Sequence, residues 1–291
     1  MRNFDQFVGI DWSGAKTPVL NNSIAVSVID RKDSSPTFLN QKWSRSLVFD
    51  WIASFLNEDK RVLIGIDCNF GYAFDILSKQ FGKNVSCYDL WSAVEENSKE
   101  LPNYFAGGFW GHNVYGQNFW ISGKQPDGFT MPKRETEIAC AEAGLGRPES
   151  PFKLIGAKQV GKGGLAGMRV AYHLKQKYCD KIAFWPFEMD KVDQAQIVIT
   201  EIYPRQFLMR AGYGTKKIRN NDDLNTVLEK LDSKAMSLRK DVSDHASDAI
   251  CSAAGLRQLC GFSKNIPKSI SQPQGMSYTA QTAEGWIFGI E

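Results

Sequence analysis

The chain is poor in the features that would place it in several large protein classes. Its 291 residues include only three histidines, isolated from one another. No Ser-His-Asp or Cys-His arrangement can be assembled from their spacing. The six cysteines (Cys68, Cys87, Cys140, Cys179, Cys251, Cys260) form no C-x-x-C pair. Zinc-type spacing is therefore missing, and free, buried thiols in a reducing compartment are expected rather than disulfides. No run approaches the roughly 20 apolar residues of a membrane span. The opening segment, MRNFDQFVGIDWSG, carries Asp5 and lacks a long apolar run, so no signal peptide is read there and the cytoplasm is the expected location. There is no large excess of one charge; a net +3 neither requires nor excludes a nucleic-acid partner. Internal repeats and low-complexity tracts are absent. The segment from Gly156 to Gly163 falls one residue short of a phosphate-binding P-loop. Gly163 stands where a Ser or Thr hydroxyl would bind Mg²⁺, which excludes an ATPase P-loop and leaves a glycine turn opening a helix near Leu165.

What is present is an ordinary globular composition, 43% hydrophobic and 23% charged, enough for one large domain spanning residues 1–291. Phe7 to Ile10 is a short apolar run ending in Asp11 and a Ser13-Gly14 turn, the pattern of a buried strand. Ser23 to Ile29 reads as a second strand and Thr37 to Trp43 as a weaker third, with Asp33-Ser34-Ser35-Pro36 turning between them. Ser46 to Asn57 has helical apolar spacing. Arg61 to Ile66 is again a continuous apolar strand, ending in Asp67. Three consecutive strands form an antiparallel meander, and the helix then crosses over to lay the fourth strand parallel to the first. Asp11 and Asp67 are thereby expected at one edge of the sheet. A large insertion, about residues 72–190, rich in aromatics and glycines (Tyr104-Phe105-Ala106-Gly107-Gly108-Phe109-Trp110-Gly111-His112), follows the fourth strand and covers or shapes a site. Gln196 to Ile202 is the fifth strand, carrying Glu201. Helices follow at Asp222 to Leu231 and Asp244 to Leu259, the latter stopped by Gly261, and Glu284 to Gly289 reads as a short closing strand.

The fold class expected is thus α/β, a mixed five-stranded sheet flanked by helices. The acids at its strand ends suggest chemistry. Asp11, Asp67 and Glu201 each follow an apolar run, and Asp244 and Asp248 lie four apart on one helix, sharing a face at a cost of a few tenths of a kcal/mol in repulsion. Asp11, Asp67, Glu201 and Asp248 are the candidate catalytic group. Asp11, Asp67, Asp244 and Asp248 are the candidate ligands for Mg²⁺ or Mn²⁺, with Glu201 a further ligand or a base positioning water. Hard cations take oxygen ligands, and paired ions clamp the attacking and leaving oxygens of a phosphodiester. A single acid at a strand end is as often solvated or a helix cap, and Asp244 fits an N-cap equally well.

Several of these pieces carry a resemblance. Gly9-Ile10-Asp11-Trp12-Ser13-Gly14 resembles the first strand of ribonuclease H-like nucleases, and Asp244-His245-Ala246-Ser247-Asp248 the last acidic helix of Holliday-junction resolvases. The chain as a whole resembles the domain-of-unknown-function family 429, whose members are described as predicted nucleases. The matching pieces are Gly9 to Asp11, Gly65 to Gly71, Arg134-Glu135-Thr136-Glu137, Val160 to Gly164, Glu201-Ile202-Tyr203-Pro204, Asp244 to Ala249 and Glu284 to Ile287. Cys68-Asn69 departs from it, where a more apolar or proline-containing pair is expected. The resemblance implies a ribonuclease H-like fold and, less directly, nuclease activity.

The remaining signals are basic. Phe152 to Lys181 holds seven Lys or Arg and one acid, and Ile202 to Asn221 holds five and none. These segments flank Glu201, and a basic surface beside an acidic metal site suits a polyanion. Lys158, Lys162, Arg169 and Arg205 are the candidate phosphate contacts; a solvated surface balancing acids elsewhere is the plain alternative. Arg134 and Glu137 read as a surface i,i+3 pair or a helix-start feature. His245 reads as a surface residue rather than a ligand, since successive helical residues point apart, and His112, among aromatics and glycines, as either. The leading function is a divalent-metal-dependent nuclease acting on nucleic acid. Two others stay open. One is a nucleotide-dependent phosphotransferase of the actin-like or sugar-kinase type, against which stand the lack of a second core copy and of a late Gly-Gly motif. The other is a non-catalytic nucleic-acid-binding module.

Overall fold

The computed structural model describes residues 1–125, 127–156, 159–239 and 241–291. Lys158, a candidate phosphate contact, lies outside them. A mixed sheet has the order β3-β2-β1-β4-β6-β5, built from β1 (Gln6–Asp11), β2 (Ala25–Asp30), β3 (Thr37–Phe38), β4 (Val62–Ile66), β5 (Ile182–Trp185) and β6 (Ile197–Glu201). The meander and crossover take the expected form: β1 is antiparallel to β2 and parallel to β4, and β4 is parallel to β6. The sheet has six strands rather than five. The extra one, β5, lies inside the segment expected as an insertion and pairs parallel to β6 at the edge.

Every residue of β1, β4 and β6 is buried. This is why they read as unbroken apolar runs: strands covered by helices on both faces need no polar side. On one face Val8, Ile10, Ile64, Ile66 and Ile199 pack against Val48, Trp91, Leu165 and Met168. These belong to helices α1 (Arg45–Ser54), α3 (Cys87–Glu96) and α5 (Val160–Tyr178), with α2 (Phe74–Phe81) and α4 (Glu135–Glu142) lying between α1 and α5 in the chain. On the other face Phe7, Leu63 and Val198 pack against α6 (Pro204–Arg210), α7 (Asn221–Lys230) and α8 (Asp244–Cys260), through residues such as Phe207, Leu224, Ile250 and Ala253.

Helix α8 is the element that matters for the site. Ser243 caps it, its hydroxyl accepting from the Ala246 amide at 3.1 Å, so Asp244 is not the cap. Gly261, at φ 62°, ends it as expected. It lies hard against β1. A Cβ on Gly9 would fall 2.3 Å from the Ala249 carbonyl oxygen, so only glycine permits the approach. Residues 284–289 form no strand; their ladder contact is one bridge between Ile287 and Glu201, after a π-helical turn at Ala280–Glu284. No helix among the described residues is long and apolar enough to cross a membrane.

Candidate functional site

Register decides which acids meet. Ile10 stands opposite Ile66, and the Asp67 amide donates to the Ile10 carbonyl at 2.9 Å, so Asp11 and Asp67 leave adjacent strands side by side. Side chains alternate across a strand. Phe7 and Leu63 face α8, so Asp11 and Asp67, an even number of residues on, share that face. Asp248 arrives on α8, one residue before the Ala249 that rests on Gly9.

Each of these carboxyls is raised above the usual range. For Asp67 the shift is large: burial comes first, then the charges of Asp11, Asp248 and Glu201. Asp248 is pushed up to about 7 by burial and then by Asp11, with Arg205 opposing. Asp11 is raised by burial, against which a hydrogen bond from His245 acts. His245 Nδ1 lies 2.5 Å from Asp11 Oδ2, with the ring close to half exposed. That bond raises the imidazole pKa above its ordinary value, against its own burial. His245 is at the surface, as expected, but its bond to Asp11 was not foreseen. The available signal was its spacing of three from Asp248, which puts both on one helix face. The carboxylates of Asp67 and Asp248 accept no hydrogen bond among the described residues; both residues are partly buried and their oxygens keep some contact with solvent.

Two candidate acids stand apart. Glu201 is opposite Ile66, so it has the parity of the other sheet face. There Arg134 holds it bidentately, Nη1 to Oε2 at 2.8 Å and Nη2 to Oε1 at 2.6 Å, while the same guanidinium binds Glu137. Arg134 and Glu137 are thus a buried helix-start feature of α4, not a surface pair. The Glu284 carboxylate accepts from the amides of Phe74 and Glu135 at 2.6 and 3.0 Å, at the starts of α2 and α4. The Arg134 and Glu284 motifs therefore build scaffold around Glu201. Asp244 is ion-paired at the surface with Lys217 and Arg219, and the Lys217 hydrogen bond lowers its pKa. It points to these cations rather than joining Asp248.

The basic candidates divide as well. Arg169 is buried and clasps Glu95, Nε to Oε2 at 2.7 Å, so it is no surface phosphate contact. The stretch is rich in basic residues, but Arg169 falls among Met168, Val170 and Ala171 on the buried side of α5. Arg205 donates to the carbonyls of Gly214 and Lys216 at 3.2 and 3.1 Å, and its charge opposes the rise at Asp248. Lys162 lies in the first turn of α5, whose glycines let the helix touch both acid-bearing loops. A Cβ on Gly164 would meet the Asn69 side chain at 2.0 Å, and Trp12 Nε1 donates to the Gly163 carbonyl at 3.1 Å. The result is a cleft of about 540 Å³ reached by Asp67, His245, Lys16 and Lys162.

Among the described residues no three His, Cys, Asp or Glu side chains converge tightly enough to enclose a metal ion. The chemistry of the donor set nonetheless suits a hard divalent cation: oxygen donors only, like-charged, two of them without a hydrogen-bond donor. Comparison with protein-family models, with curated proteins and with solved structures finds no match.

Proposed function

We propose that the chain is a divalent-metal-dependent nuclease with a ribonuclease H-like core, the reading its motif resemblance also implies. One observation carries it. Asp11, Asp67 and Asp248 come from two neighbouring strand ends and one helix and share a sheet face; the charge of Asp11 raises the pKa of both others and that of Asp248 raises Asp67, while two of the three accept no hydrogen bond among the described residues. A protein gains nothing in stability from such an arrangement, since repulsion and desolvation both oppose it. Perturbed carboxylates beside a cleft are the pattern of a site.

In this reading Asp11, Asp67 and Asp248 would hold Mg²⁺ or Mn²⁺, which would supply Lewis acidity toward a phosphoryl oxygen. His245 fixes the Asp11 carboxylate in orientation through the 2.5 Å bond. Lys162 and Lys16 line the cleft beside Asp67 and attract the phosphate backbone. Glu201, clamped by Arg134, supports the strand end rather than the reaction.

The test is thermal unfolding with and without millimolar Mn²⁺. Binding to the folded state alone raises the melting temperature, so the wild type shifts upward and Asp67→Asn does not. An equal shift in both proteins, or none in either, removes the metal site.

A further inference from the structure

From the aromatic and glycine-rich stretch Tyr104 to His112, Phe105 and Trp110 reach the cleft and form part of its wall. A single helical turn, Gly107–Gly111, presents Trp110 next to Phe105. Their rings meet edge to face, centroids 5.3 Å apart at 89°. Both are only partly buried, and both line the same cleft as Lys16, Lys162, Asp67 and His245. Two adjacent, partly exposed aromatics facing a cleft beside lysines offer a flat apolar surface at which a planar ligand can exclude water.

The wall is held in place from behind. Arg169 donates from Nη1 to the carbonyls of Leu101 and Phe105, at 3.0 and 2.7 Å. Arg45, fully buried, donates from Nε to the Asn103 carbonyl at 2.6 Å, and from Nη1 to Ser13 and Ala15 at 2.6 and 3.0 Å. One guanidinium therefore ties the aromatic segment to the loop that follows Asp11. Arg45 has no carboxylate partner among the described residues; its partners are backbone carbonyls. The construction fixes an aromatic surface, a positive field and the acids relative to one another.

We infer that this cleft takes an unpaired base, stacked on the Trp110–Phe105 wall with its flanking phosphates on Lys16 and Lys162, so that the substrate class is single-stranded nucleic acid. The inference deepens the nuclease reading and rests on it for what happens to the strand after binding. Stacking on an aromatic needs a base whose face is free, which single strands, loops and ends provide and a continuous duplex does not. The cleft volume, about 540 Å³, lies within the roughly 300–1,000 Å³ of sites that enclose a small ligand. Every base has a π-face, so recognition here is tolerant of sequence.

The experiment is fluorescence anisotropy without divalent metal, so that no cleavage intervenes. The probes are labelled DNA and RNA strands of about 12 nucleotides, within the span such sites cover, their duplexes, and an abasic strand. The wild type binds either single strand more tightly than the duplex. Trp110→Ala weakens single-strand binding by roughly fivefold or more and leaves duplex and abasic binding unchanged, while Trp110→Phe retains most of the affinity. Equal losses on all probes make Trp110 a support of the fold and overturn the inference. So does undiminished binding by Trp110→Ala, or a free mononucleotide that competes as well as the oligonucleotide. Asp67→Asn separates the two readings. If it and the wild type bind the strand alike through Trp110 but neither responds to Mn²⁺, the stacking site stands and the nuclease does not. If Mn²⁺-dependent cleavage is present and Trp110 is inert, the reverse holds.

Discussion

Asp248→Asn removes one charge from the carboxylate group and changes almost nothing in size. The Asp248 carboxyl is held at about 7 instead of 3.8 by burial and by Asp11. Its ionised form is therefore penalised in the folded protein. At 1.36 kcal/mol per pKa unit the ceiling on that penalty is about 4 kcal/mol. Asp248 is partly open to water, and local relaxation lowers the real figure to about 1–2 kcal/mol. The sign follows from linkage. Below pH 4 the carboxyl is protonated in both the folded and the unfolded chain, and there is no penalty. Between pH 4 and 7 the unfolded chain gives up the proton while the folded one keeps it, so wild-type stability falls as pH rises; above 7 the loss is complete. Asparagine carries no such dependence. In metal-free urea unfolding, the variant should be more stable than wild type at pH 8, and the difference should shrink steadily toward pH 5. A variant less stable at pH 8, or a difference that does not vary with pH, means that Asp248 has a structural partner and that the reasoning is wrong.

Other substitutions test the frame around the acids. Gly9→Ala places a methyl 2.3 Å from the Ala249 carbonyl, so α8 must shift; a stability loss of about 1–3 kcal/mol in urea unfolding is expected. Arg134→Ala leaves Glu137 and Glu201 buried and unpaired, and should cost about 3–5 kcal/mol by the same measurement. Lys162→Ala should leave stability within about 0.5 kcal/mol and lower the salt slope of nucleic-acid binding by about one unit.

The central strands were readable because burial on both faces leaves their sequences apolar to the last residue, where an acid marks the exit from the core. Asp11 and Asp67 could thus be paired from the parallel crossover alone. Helix α8 was readable from its alanines and from Gly261. Strand β5 was not, because its four residues, Ile182 to Trp185, follow α5 after a single turn, Cys179–Lys181, and stop at Pro186. Glu201 looked equivalent to Asp11 and Asp67. It has the opposite parity, and parity is set by register across β4 and β6, which no local pattern contains. The Arg134 clamp on Glu201 spans 67 residues and the His245 bond to Asp11 spans 234, so both depend on tertiary approach. Arg169 was misplaced because a run of basic residues suggests solvent, although its neighbours on α5 are small and apolar.

The proposed nuclease activity is measured most directly as cleavage of labelled single-stranded DNA and RNA, with duplex and branched controls, in Mg²⁺ or Mn²⁺, by the wild type and by Asp67→Asn. Metal-dependent cleavage by the wild type is expected, abolished by EDTA and by the substitution while the variant remains folded. No cleavage of any substrate by the wild type in either metal, or equal cleavage by Asp67→Asn, contradicts it.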